Sequence, residues 1–260
     1  MSSQDLICAL AALLLVPSLG RAEEVTVVTA NGARLAVIAD FPAGGGRHPA
    51  IVLAPGQGYH MNLPALEEPA RSLVANGVAV FRFNWAYFTA QPKGEPSNDL
   101  SKELQDLQAV LAVARRHPRV AKESVSVGGK SLGSIVAWSA FAADSSLRSG
   151  LFLTPICSRV LKGETLPRSE ALENYPGFET ERRPTLFIAG NRDPLCSAKV
   201  LYRHAGANTG SARVAVVGGD HSYEDRSLTS LAAEVSRTRN IAAVAALATG
   251  FVAEVSSGNE

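Results

Sequence analysis

Residues 124–142 read Ser124-Val125-Ser126-Val127-Gly128-Gly129-Lys130-Ser131-Leu132-Gly133-Ser134-Ile135-Val136-Ala137-Trp138-Ser139-Ala140-Phe141-Ala142. The first four residues are β-prone, and the run from Ile135 is apolar and alanine-rich, as a buried helix is. Between them, Gly129-Lys130-Ser131-Leu132-Gly133 spells G-x-S-x-G. A serine on a sharp strand-to-helix turn is held clear of its own backbone and is open to a substrate. The turn is crowded, so the positions two before and two after the serine must lack side chains, which is what the glycines supply. A glycine-rich turn that holds at most a phosphate has the same letters, so the rest of the chain has to decide between the two.

On both sides of this stretch, strand and helix patterns alternate, the arrangement of a mostly parallel sheet covered on both faces. Asn31-Gly32 is a hairpin turn between two β-prone runs, residues 24–28 and 34–38, which gives the sheet an antiparallel start. Ala50-Ile51-Val52-Leu53 and Val78-Ala79-Val80-Phe81 read as buried strands. Residues 66–76 between them read as a helix stopped by Gly77. Residues 89–98, with two prolines and a glycine, read as a loop. Residues 99–116 form an amphipathic helix whose Leu100, Leu104, Leu107 and Leu111 are expected in the core. Further strands are expected at 150–153, 185–189 and 212–217, and a long alanine-rich terminal helix, or two, at 228–255. Residues 158–183 are polar and irregular. Neither a repeat nor a linker interrupts the pattern, which points to one domain.

A serine hydroxyl is a poor nucleophile at neutral pH. It needs a base to take its proton and an acid to orient that base and stabilise its positive form. In such a sheet these groups belong on loops after the carboxyl ends of later strands. The strand ending at Ala189 is followed by Gly190-Asn191-Arg192-Asp193-Pro194, and the one ending at Val217 by Gly218-Gly219-Asp220-His221-Ser222. Ser131, Asp193 and His221 are therefore the candidate nucleophile, acid and base. Asp220 is a rival acid, ranked lower because neighbouring side chains diverge. The developing oxyanion needs two backbone N–H groups. Leu132, next after the serine, and Gln57, in Ala54-Pro55-Gly56-Gln57-Gly58-Tyr59-His60, are the candidate donors. His60 in that loop reads as a polar wall, not a base.

Composition bounds the alternatives. The chain has 260 residues, 46% apolar and 19% charged, with a formal net charge of +1. Neither a nucleic-acid nor an acidic partner is implied, since basic residues such as Arg115-Arg116 and Arg182-Arg183 come only in pairs. No His, Cys and carboxylate ligands cluster at metal spacing, and the chemistry needs neither metal nor cofactor. Residues 6–16 are an apolar run of signal-peptide length, too short to span a bilayer, broken by Pro17. Gly20-Arg21-Ala22 places small residues for cleavage after Ala22. Residues 1–22 are thus expected to be a signal peptide of an exported protein, periplasmic or secreted, with no membrane insertion once it is removed. Cys157 and Cys196 would then remain, and two cysteines left in an oxidising compartment often pair.

From about Ala50 to the end, the chain resembles the α/β-hydrolases. Within them, Gly128-Gly129-Lys130-Ser131-Leu132-Gly133, Pro55-Gly56-Gln57-Gly58 and Met61-Asn62-Leu63-Pro64 are similar to the dienelactone-hydrolase-like group that includes the KANL3/Tex30-type domains. The resemblance implies an eight-stranded, mostly parallel sheet over residues 23–260 and a serine-hydrolase triad at Ser131, Asp193 and His221. Pro55 departs from it, because many members carry there a His that supports the oxyanion loop. The expected activity is hydrolysis of a small-molecule carboxylic ester through an acyl-enzyme. The alternatives are an amidase or peptidase on the same triad, or an idle hydrolase fold used for binding. A cap would occupy residues 157–183; it is short and polar, so a minimal cap over an open site is expected. Cys157 and Cys196 follow strands expected to be neighbours, and a bridge there would tie the cap to the acid loop. Nothing in the sequence fixes an oligomeric state.

Overall fold

In β3, His48–Ala54, every residue from Ala50 onward is buried. Successive side chains of a strand point to opposite faces, so an unbroken apolar run is stable only where both faces are covered. Ala50, Val52 and Ala54 enter one core, while Ile51 and Leu53 enter another. The computed structural model describes residues 21–91, 93–159 and 171–258. The expected signal peptide lies outside them, apart from Arg21 and Ala22 at the start of the first strand.

Eight strands form one sheet: β1 Arg21–Val28, β2 Arg34–Phe41, β3, β4 Ala79–Phe83, β5 Val120–Lys130, β6 Gly150–Leu153, β7 Thr185–Gly190 and β8 Ala212–Val217. Their order is β1-β2-β4-β3-β5-β6-β7-β8. β1 and β2 pair antiparallel around the Asn31-Gly32 turn, and β2 pairs antiparallel with β4. From β4 to β8 every pairing is parallel. The parallel strands therefore end at one edge, where the loops carrying Gln57, Ser131, Asp193 and His221 emerge.

The helices are α1 Pro64–Ala75, α2 Ala86–Ala90, α3 Ser101–Arg116, α4 Leu132–Ala143, α5 Ala198–Ala207 and α6 Ser230–Ser256. Leu107 and Val110 of α3, Val136 and Trp138 of α4, and Val200 and Leu201 of α5 pack into one core. Leu66 and Leu73 of α1 pack with Ile241, Val244 and Phe251 of α6 in the other. α1 ends where Gly77 takes φ 87° and Val78 N–H returns to the Leu73 carbonyl at 3.0 Å, an αL stop that glycine adopts without strain.

Two expectations need correction, one helix went unread, and the alternative of two terminal helices falls away. The stretch read as loop is preceded by the short α2, and its first two residues, Thr89 and Ala90, complete that helix. α5 went unread; only Val200 and Leu201 are buried along it. The terminal segment is one helix, which no proline interrupts. The α3 leucines divide: Leu107 and Leu111 are buried, but Leu100 and Leu104 are only half-buried, because that end of the helix borders a cleft. The buried positions there include two carboxylates, Glu103 and Asp106.

Part of the expected cap, residues 160–170, lies outside the described residues. The segment after it is firmly held. Tyr175 and Phe178 are buried and pack on Phe187, with ring centroids 5.1 Å away in each case. Trp138 lies edge-on to Tyr175, and its indole N–H donates to the Pro176 carbonyl at 3.0 Å. Aromatic anchors thus fix a segment that reads as polar and irregular in sequence.

Candidate active site

Ser131 follows β5 directly and stands at φ 56°, ψ −122°. A non-glycine residue at positive φ is strained, and its surroundings must enforce the conformation. Here the enforcement is steric. A Cβ on Gly129 would lie 2.2 Å from the Gly133 carbonyl oxygen, and one on Gly133 would lie 2.4 Å from that of Ala54. The absence of both side chains lets α4 start against β3 and throws the serine side chain outward. The Ser131 carbonyl accepts from Ser134 N–H at 2.9 Å and from the Ser134 hydroxyl at 2.5 Å. That hydroxyl also lies 2.7 Å from the Tyr175 hydroxyl, which ties the first turn of α4 to the anchored segment after the cap.

The loops after β7 and β8 are bonded to each other. Asn191 N–H donates to the Val217 carbonyl at 2.8 Å, Arg192 N–H to Gly219 at 2.9 Å, and Gly219 N–H to the Asn191 side-chain oxygen at 2.9 Å. A Cβ on Gly190 would meet the Asp220 and Gly219 carbonyl oxygens at 2.4 Å, so only glycine permits this approach. The result sets Asp193 against His221. His221 Nδ1 lies 2.9 Å from Asp193 Oδ2, and His221 Nε2 lies 2.8 Å from Ser131 Oγ. The Asp193 side chain is fully buried while His221 remains about a fifth exposed, and the second Asp193 oxygen accepts from Leu195 N–H at 2.9 Å. Asp220 turns away to accept from Ser222 and Glu224 N–H and to pair with Arg226 at 2.8 Å. Hydroxyl, imidazole and carboxylate thus form one hydrogen-bonded row.

Leu132 heads α4, where backbone N–H groups have no acceptor within the helix. The loop after β3 passes beside Ser131: a Cβ on Gly56 would lie 3.3 Å from that of Ser131. Gln57 follows, and its side-chain amide donates to Glu95 at 2.5 Å. The loop is braced by Trp85, whose indole N–H donates to the Pro55 carbonyl at 2.9 Å, and by Tyr59 N–H on the Gly56 carbonyl at 3.2 Å. Support therefore comes from a residue thirty positions downstream, and no local signal announces it. His60 accepts from Asn62 N–H and lies near Phe88, apart from the row. Cys157 and Cys196 are joined by a disulfide, and Cys157 N–H donates to the Leu195 carbonyl at 3.1 Å. The bridge thus links the end of β6 to the Asp193 loop.

Two hollows open on the side of the carboxyl ends of the strands. One of about 850 Å³ is lined by Gln57, Leu100, Leu104, Ile135, Val136 and Ile156, with polar groups around them. The other, about 470 Å³, has His221, Pro194 and Leu195 on its wall. A third hollow, at the amino ends of the strands among Arg148, Arg183 and Arg213, is remote from Ser131. Sequence reasoning missed Lys130, Trp85, Asn191 and Tyr223. Tyr223 is fully buried; its hydroxyl donates to the Ile188 carbonyl at 3.0 Å and accepts from Thr154 N–H, which pins the His221 loop to β7. Lys130 adjoins Ser131 and Asn191 lies two residues before Asp193, and that proximity is the one sequence signal they give. Among the described residues no cluster of His, Cys and carboxylates has a geometry to hold a metal, and no helix is long and apolar enough to cross a membrane.

The profile of a family described as "Alpha/beta hydrolase domain" matches residues 47–253. No curated protein matches the chain in sequence. Among solved structures, Est1E from Butyrivibrio proteoclasticus superposes with a TM-score of 0.67 at 15% identity, covering 90% of this chain and 99% of its own. An alpha-beta serine hydrolase homologue from Coxiella burnetii gives 0.65 at 18%, covering 88% and 96%. The Pyrococcus furiosus esterase Pf2001 gives 0.62 at 14%, covering 91% of each chain. At these identities the likeness is one of fold.

Proposed function

The chain belongs to the family of alpha/beta hydrolase domains, and on that footing we propose that it is a serine hydrolase cleaving carboxylic esters through an acyl-enzyme. The observation that carries the reading is the row Ser131 Oγ, His221 Nε2, His221 Nδ1, Asp193 Oδ2, with contacts of 2.8 and 2.9 Å around a serine held at positive φ. A half-buried hydroxyl on a strained backbone, already bonded to a base that is itself oriented by a buried carboxylate, has the parts nucleophilic catalysis requires.

In this mechanism Ser131 Oγ attacks the ester carbonyl carbon and its proton passes to His221 Nε2. Asp193 holds the ring through Nδ1 and stabilises the imidazolium. The negative oxygen of the tetrahedral intermediate is received by the N–H groups of Gln57 and Leu132. The bond from carbon to the alcohol oxygen then breaks, and the alcohol leaves with the proton from His221. Water, deprotonated by His221, attacks the acyl-Ser131 carbonyl, the bond to Ser131 breaks, and the acid departs. The hollow between α3 and α4, apolar around Leu100, Leu104, Ile135 and Val136, suits the acyl or alcohol part of a small ester.

The motifs around Gly56 and Ser131 support a place in the dienelactone-hydrolase-like group. The apolar run at residues 6–16 and the bonded cysteine pair support export, with a mature chain starting at Glu23. The test is hydrolysis of 4-nitrophenyl esters of increasing acyl length beside peptide anilides, with Ser131→Ala as control. Ester turnover abolished by the substitution supports the reading. Turnover of the anilides alone would make the protein an amidase, and no turnover of either with folded protein would leave a binding role.

A further inference from the structure

We propose that Lys130 is a positioning residue whose ammonium holds the His221 loop and the Gln57 loop in register on either side of Ser131. The inference rests on the serine-hydrolase reading and adds a residue to it. Lys130 is the last residue of β5, so its side chain leaves the strand on the face opposite to that of its neighbours. It is only 3% exposed. Its Nζ donates to the backbone carbonyl of His221 at 3.1 Å and lies 4.9 Å from the centroid of the Tyr59 ring. Tyr59 closes the turn around Gln57 through its N–H on the Gly56 carbonyl, and its hydroxyl accepts from Ala65 N–H at the start of α1. One buried cation therefore contacts the base's own residue and the brace of the oxyanion loop.

A lysine buried this deeply is costly unless its charge is met. The charges around it come from two loops. Asp193 arrives after β7, and Asp220 and Glu224 after β8. Asp193 is shared with His221, Asp220 with Arg226, and Glu224 with Arg237. Tyr59, the other titratable neighbour, has its phenol pushed up by burial and stays neutral. Burial outweighs the three carboxylates and brings the Lys130 ammonium down to about 8. The charge that strengthens the bond to the His221 carbonyl and the attraction to the Tyr59 ring is therefore lost under mildly alkaline conditions. A fall in reactivity in that range, absent when Lys130 is replaced, reports on the anchor.

The readout that needs no known substrate is the rate at which a fluorophosphonate labels Ser131 between about pH 6 and 10. Wild-type protein is expected to reach a plateau near neutrality and to slow severalfold above about pH 8. Lys130→Met, checked for folding by circular dichroism, is expected to label about tenfold more slowly at pH 7, the loss of one charge-assisted hydrogen bond, with no alkaline fall. Lys130→Gln, which keeps a donor without the charge, should lie between the two and also lack the fall. A wild-type rate that stays flat from pH 8 to 10, or a folded Lys130→Met with the wild-type rate or the wild-type alkaline fall, overturns the assignment. Should neither variant fold, the wild-type profile decides. Folded wild-type protein that is not labelled at any pH overturns the hydrolase reading itself, a different result from labelling that ignores Lys130.

Discussion

At Ser131 the backbone sits at φ 56° because Gly129 and Gly133 leave no room for any other course of the chain. The same crowding that strains the residue aims its hydroxyl at His221 Nε2, 2.8 Å away. Asp193 then fixes the ring, and its full burial concentrates the effect. Asp193→Asn keeps the shape but offers His221 Nδ1–H no carboxylate and favours the wrong tautomer. It is expected to lower kcat by about 10⁴-fold with a smaller change in KM, measured on whichever ester turns over. A loss under tenfold would mean that Asp193 does not orient the base. These three residues were legible in the sequence because each lies in a short loop directly after a recognisable strand. Lys130 and Trp85 were not, because their partners, the His221 and Pro55 carbonyls, are 91 and 30 positions away and backbone acceptors carry no residue signature.

At the scale of the element, α3 shows where periodicity misleads. Its leucine spacing identified the helix and its inner face, but spacing does not say where the core ends and a cleft begins, so Leu100 and Leu104 were assigned to the core. Nor did it reveal that the same face buries Glu103 and Asp106. Glu103 accepts from Ser97 N–H at 3.1 Å and Asp106 from Ala86 N–H at 2.8 Å, which together secure both ends of the segment from α2 to α3. Burial raises the Asp106 carboxyl to about 6, while in the unfolded chain it titrates near 3.8. Between those values the folded state binds the extra proton, so the stability Asp106 contributes is present below about pH 4 and is lost as pH rises through about 6. Asp106→Asn accepts the same Ala86 N–H without a charge. Its stability relative to wild type in urea titrations should therefore improve from about pH 4 to 6 and stay level above. A stability difference that does not move with pH would show that Asp106 titrates as an exposed carboxyl does.

Across the whole molecule, the alternating pattern of strands and helices was enough to name the sheet and the edge where its loops gather. What it could not supply was the cross-bracing between loops far apart in the chain, since that arises only when the strands are in place. The disulfide is one such brace: it spans 39 positions and joins the end of β6 to the loop that presents Asp193. Closing a loop of that length restricts the unfolded chain, and its loss is expected to cost about 3 kcal/mol. For a domain of this size that lowers Tm by about 6–12 °C, to be measured by calorimetry on Cys157→Ala/Cys196→Ala against the oxidised protein. An unchanged Tm, or two free thiols in the purified protein under non-reducing conditions, would remove the bridge from the account. The central claim is that the strand-end loops converge to make Ser131 a nucleophile that carries the acyl group. It is tested most directly by acid-quenching folded protein during 4-nitrophenyl acetate turnover and mapping the adduct by peptide mass. One acetyl group on Ser131, released on continued incubation and absent from Ser131→Ala, is the predicted result. Turnover with no adduct on Ser131, or an adduct on another residue, would contradict it.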